Sequence, residues 1–147
     1  MPYHHTQVGR LMIATFVFVV FVFGAVFVAG REEMNAAILV LMGLSLLIVG
    51  SFSTLTVTVD GANLSIKFGW GIFRKSFPLQ DIISVRAARH KWYHGWGIRY
   101  WVPSQMWIYN ISGFDVVEIE MKDGKKYRIG SDEVEKLVET ISQYIPK

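Results

Sequence analysis

The sequence contains no cysteine, which excludes a disulfide scaffold, a thiolate metal site and a cysteine nucleophile in one step. Charge is scarce as well. Charged residues make up 18% of the 147, hydrophobic ones 52%, and the mean hydropathy is positive. That balance excludes disorder. The scarcity is also localised, because residues 11–30 and 36–52 carry no charge at all. The remaining stretch, residues 53–147, is long enough for one small domain with its own core, not two.

Residues 11–30 lie between Arg10 and Arg31, and a helix of that length reaches about 30 Å, the thickness of a bilayer core. Their Phe and Val content favours a strand, but a lone strand in lipid leaves every N–H and C=O unpaired, so a helix is expected. A cleaved signal peptide ending at Val28-Ala29-Gly30 competes, although the run exceeds the roughly 7 to 15 residues usual for such a core. Residues 36–52 form a second uncharged run after a short turn, and together the two read as a helical hairpin. Ala25 and Ala29 on one segment and Gly43 and Gly50 on the other offer small faces for close approach. With no ionisable residue at mid-membrane depth, an ion relay or substrate path is not expected. Arg10 together with Lys67, Arg74 and Lys75 outweighs Arg31, which Glu32 and Glu33 offset. Positive-inside bias therefore predicts a multi-pass protein of the cell membrane with its domain and both termini cytoplasmic.

After residue 53 the period changes to two. Leu55, Val57 and Val59 alternate with threonines, Asp60-Gly61-Ala62-Asn63 intervenes, and Leu64, Ile66 and Phe68 alternate again. This predicts a hairpin that pairs Val59 with Leu64, Val57 with Ile66 and Leu55 with Phe68. No linker rich in Gly, Ser or Pro separates it from the second apolar run, so the domain is held close to the bilayer. Further strands are expected at 72–77, 83–87, 107–111, 116–121 and 125–129. A three-residue loop, Lys122-Asp123-Gly124, sets Ile119 against Tyr127, Val117 against Ile129, Glu120 against Lys126 and Glu118 against Arg128, the two charged pairs on an exposed face. Ser131 is the expected N-cap of a final helix with Val134, Leu137, Val138, Ile141 and Ile145 on one stripe. The layout is an α+β membrane protein with a tail (1–10), a transmembrane hairpin (11–53) and a β-sandwich or partly open barrel (54–147) closed by an amphipathic C-terminal helix.

The runs at 77–85 (FPLQDIISV), 95–99 (GWGIR), 109–113 (YNISG) and 123–132 (DGKKYRIGSD) resemble the bacterial pleckstrin-homology-like domain family, including members anchored by two N-terminal helices whose function is unknown. The resemblance covers residues 54–145. It implies a seven-stranded pleckstrin-homology-like fold, self-assembly and no catalysis. Inositol-lipid binding is not implied, because the first hairpin loop, Asp60-Gly61-Ala62-Asn63, lacks the basic residues that eukaryotic relatives use.

The most unusual stretch is 86–109. It holds four of the five tryptophans and no acid, in a gap of acids running from Asp81 to Asp115. Indole rings and cations together suit the headgroup layer, where rings bury apolar faces and Lys or Arg meets anionic lipid. Arg86, Arg89, Lys91, Trp92, Tyr93, Trp96, Arg99, Tyr100 and Trp101 are therefore the candidate membrane-contacting residues. Packing of these aromatics within the domain and partner binding through the same surface are the alternatives. The same interleaving occurs in single-strand nucleic-acid binders, but a domain fused this closely to a bilayer is a poor candidate for nucleic acid. His90 and His94 have a metal spacing only on a helix, which Gly95 and Gly97 oppose, so no metal or other cofactor is expected. His4 and His5 read as part of a polar tail. Glu118 and Glu120 are expected to pair with cations across strands, with no acid–base role. The sequence thus predicts a non-enzymatic, membrane-anchored binding or scaffolding module, in contact with anionic lipids and capable of homo-oligomerisation. The alternative is an accessory subunit that meets a membrane-protein partner.

Overall fold

The computed structural model describes residues 2–146. Its first element is a strand, β1 (Tyr3–Val8), where a polar tail is expected. Helix α1 (Arg10–Ala29) and helix α2 (Ala36–Ser51) come next, and then strand β2 (Thr54–Val59). β1 pairs antiparallel with β2, Tyr3 opposite Val59 and Val8 opposite Thr54. The Gly9 N–H donates to the Ser53 carbonyl at 2.7 Å. The hairpin is thus an insertion between two neighbouring strands, sealed at its base by the ladder. Only Tyr3, which joins the core, and Val8 are apolar in β1, too few to mark a strand in the sequence, because a short, mostly polar strand suffices at a sheet edge once the returning chain supplies a partner.

No residue of α1 is buried, and it is the one described helix long and apolar enough to cross a membrane. Helix α2, with 16 residues, reaches about 24 Å. Asn35 caps it by accepting the Ile38 N–H at 3.1 Å. The expected small-residue seam forms only in part. Gly43 faces open space, while Gly50 sits against the rings of Trp70 and Phe16.

Strands β3 (Asn63–Phe68) and β4 (Phe73–Pro78) complete a four-stranded sheet in the order β1-β2-β3-β4, with the expected Leu55, Val57 and Val59 pairings in place. The second sheet contains β5 (Ile82–Arg89), β6 (Gly97–Trp101), β7 (Met106–Asn110), β8 (Asp115–Met121) and β9 (Lys126–Gly130), ordered β5-β8-β9-β7-β6. One core joins both sheets, from Leu55, Phe68 and Phe77 to Ile119, Tyr127 and Ile129. The described residues thus contain nine strands. The two beyond the seven expected are β1 and β6, the latter hidden by Gly, Arg and aromatic residues that break a simple alternation.

Helix α3 (Val134–Ser142) buries Leu137 and Ile141 against this core. It starts slightly later than expected. Ser131 is not its N-cap: Glu133 holds that position without a side-chain cap bond, and the Ser131 Oγ instead accepts the Glu133 N–H at 3.0 Å in the turn just before the helix. Beside it, the Tyr3 hydroxyl donates to Glu133 Oε2 at 3.1 Å, and His5, expected in the tail, meets Asp132. The β8–β9 register is as expected, including Glu118 opposite Arg128. Its face is not. Glu118 is only 6% exposed, and Met106, Ile108 and Val116 are buried outside the main core.

Candidate functional site

Residues 86–109 run from one edge strand of the second sheet, β5, to the other, β6, and on into its neighbour β7. Cross-strand neighbours run Arg86, Glu118, Arg128, Ile108 and Arg99 from β5 to β6. Arg86 and Arg99 are therefore four strand spacings apart, about 19 Å at the usual spacing. Arg86 is committed to Glu118, with its Nε donating at 3.0 Å, and Arg128 donates from the other side at 2.9 Å. Arg89 lies at the β5 end opposite Asp115. Arg86 is thus occupied away from β6, whereas Arg89 directly precedes His90, whose ring lies 6.0 Å from Trp96 between centres.

The remaining candidates gather around β6 and the turn leading into it. Residues 92–94 make one turn of 3-10 helix, which brings Tyr93 to 5.7 Å and His94 to 4.7 Å from Trp101, between ring centres. Lys91 lies over the Tyr93 ring at 5.6 Å. Trp96 turns the other way, its indole N–H donating to the Gly113 carbonyl at 3.2 Å, with Phe114 beside it. Tyr100 packs on Trp107 at 5.2 Å, and Arg99 donates from Nε to the Trp96 carbonyl. Trp96 and Trp101 are half-buried, whereas Trp92 is 74% exposed, with Tyr93, Tyr100 and Val102 also exposed. The segment is thus partly a local core and partly an apolar surface.

His90 and His94 form the inner layer of that local core, 5.2 Å apart between ring centres. The His90 Nε2 donates to the Gly95 carbonyl, so the proton sits on Nε2 and the buried Nδ1 has no partner among the described residues. Burial holds both imidazoles below their usual pKa, aided by Arg128 in both cases and by His90 and Lys91 for His94. For Glu118, burial pushes the carboxyl up, but the hydrogen bonds from Arg86 and Arg128 outweigh it and hold the group below its usual range. Burial raises the Tyr109 hydroxyl to about 12, leaving it neutral. No group of three or more metal-binding side chains occurs among the described residues.

A second aromatic group, not apparent in the sequence, stands at the base of the hairpin. The β3–β4 turn carries Trp70 and Ile72, 65% and 60% exposed, with Trp70 against Gly50 of α2. Phe73 stacks on Phe52 at 5.2 Å, just past the end of α2. Gly69 makes this junction possible. Its φ is +48°, and a Cβ there would lie 2.5 Å from the Ser51 carbonyl oxygen. Phe73 also lines a cleft of about 220 Å³ with Ile98 of β6, so the β6 edge and the hairpin base lie on the same side of the domain. The available signal was the run Gly69-Trp70-Gly71-Ile72, an indole and an isoleucine set in a tight turn where no core needs them.

A scan of protein-family models finds no match to this chain, and a search of curated proteins finds none either.

Proposed function

We propose that the chain is a membrane-anchored binding or scaffolding module without catalytic activity, a pleckstrin-homology-like domain held against the lipid surface by the α1–α2 hairpin. One observation carries this reading. The hairpin emerges between β1 and β2 with the ladder closed at its base through Gly9 and Ser53. Two helices apolar on every side have no protein surface to cover them, and a bilayer supplies one. The sealed base then keeps the domain from drifting, and the cleft that Phe73 shares with Ile98 of β6 supports a reading in which the neighbouring Trp92, Tyr93, Tyr100 and Lys91 meet the headgroups. Both termini and the domain take the cytoplasmic side, in keeping with the balance of Lys and Arg.

Tryptophan fluorescence of the full chain in nanodiscs tests this. Lipid-borne quenchers should reach Trp92 and Trp70, while iodide in the aqueous phase reaches them poorly. Equal aqueous access with and without lipid would reject the interfacial placement. A second reading, an accessory subunit of a membrane complex, draws on Gly24 and Gly43, where a side chain would find open space and a partner helix could pack. Crosslinking in native membranes separates the two readings: a stoichiometric foreign partner favours the subunit, and self- or lipid adducts alone favour the module.

A further inference from the structure

Resting on that membrane placement, we propose a second, separate lipid contact: the outer face of the first sheet binds the phosphate of an anionic phospholipid through Lys67 and Arg74, with Lys75, which alternates to the face of Phe73 and Phe77, adding charge from the free β4 edge. Lys67 and Arg74 stand directly opposite each other on β3 and β4. Like charges in that position repel and weaken a sheet. Neither makes an ion pair with a described residue, nor does Lys75 on the free β4 edge. Among the described residues, no carboxylate lines the concavity of about 400 Å³ that all three line with Thr56, Ser65 and Ser76. An anion seated there removes the repulsion. The hydroxyls suit it too. Ser65 and Ser76 share one hydrogen bond at 3.0 Å, and a hydroxyl pair uses only one of its two protons, leaving the other free to donate.

Position selects a lipid over a free ion. The Lys67 stem runs along the β3–β4 turn, with its Cδ 3.1 Å from where a Gly71 Cβ would stand. Beside it in that turn are the exposed Trp70 and Ile72, and Trp70 reaches Gly50 at the end of α2. Along one short path the surface passes from helix to apolar side chains to paired cations. That is the order of a phospholipid, with acyl chain, interface and phosphate in sequence.

The test uses the full chain in detergent, with native mass spectrometry to follow binding of phosphatidylglycerol and, as the zwitterionic control, phosphatidylcholine. Wild type should retain phosphatidylglycerol selectively. The K67Q/R74Q/K75Q variant should bind it more weakly by about fivefold per cation removed, while K122Q/K125Q, two exposed lysines of the β8–β9 turn, and the charge-preserving K67R retain it. Unchanged retention by the triple Gln variant would overturn the proposal, and so would full displacement by excess inorganic phosphate, which would mark a free-anion site. Carbonate extraction separates the two levels. A chain released from membranes overturns the anchoring and this site together, whereas one that stays integral with unaltered lipid selectivity overturns this site alone.

Discussion

The outer faces of the two sheets carry similar residues and handle them in opposite ways. On the first sheet, Lys67 faces Arg74 with no acid near, and hydroxyls meet in pairs, Thr6 with Thr56 and Ser65 with Ser76. On the second, Glu118 is clamped between Arg86 and Arg128 and covered, with His90 and His94 buried in the same layer. A count of cations therefore does not locate a binding surface. Arg86 belongs to the most basic stretch of the chain yet is occupied internally, while Lys67 and Arg74, inconspicuous in sequence, are left without partners.

Removing Glu118 challenges this contrast most directly. E118A leaves Arg128, 16% exposed, without its carboxylate, and loss of one partner of a buried pair costs about 3 to 5 kcal/mol. Thermal unfolding of the full chain should show a large loss. The K67Q/R74Q/K75Q variant on the other sheet should match wild type or exceed it slightly. Equal effects would show that the two faces are not different in kind.

A somewhat smaller loss is expected at the junction that gives the first sheet its place beside the helices. G69A forces a side chain into a left-handed position and against the Ser51 carbonyl, at about 1 to 3 kcal/mol. It should also loosen Trp70, seen as a red shift in emission.

The pH response should separate the faces further. His90 and His94 have folded pKa values below the unfolded value of about 6.5. The unfolded chain therefore binds more protons, and stability that is complete above that value is lost as pH falls from it toward the folded pKa values. A proton on His90 Nδ1 would add a buried donor without an acceptor, near Arg128. Melting temperature should drop on mild acidification, and H90Q/H94Q should flatten that slope. A separate loss sets in at lower pH, as Glu118 protonates below the usual carboxylate range. The smallest effect belongs to the hydroxyl pairs of the first sheet: S65A should cost about 0.5 kcal/mol, within reach of careful denaturant titration.

Much of the architecture was legible because it arises from local period. The Leu55, Val57 and Val59 register and the Ile119–Tyr127 pairing needed only the rule that alternate side chains share a face, together with a turn that permits the match. The site was less legible. Residues 86–109 are contiguous in sequence, yet a sheet ordered β5-β8-β9-β7-β6 puts Arg86 on one edge strand and Trp101 on the other. Burial of Glu118 was illegible for a related reason: its two arginines, Arg86 and Arg128, come from strands on either side of β8.

The two apolar helices, the strand pattern after them and the amphipathic final helix were set by the amino-acid sequence alone, since each depends on periodicity and length within one segment. That residues 3–8 are a strand was settled in three dimensions, because an edge strand of His, Thr and Gln becomes stable only when the helical hairpin returns β2 beside it. Which cations are occupied was settled there as well. An ion pair forms between side chains that the fold brings within about 4 Å, and no local pattern records which acid will arrive.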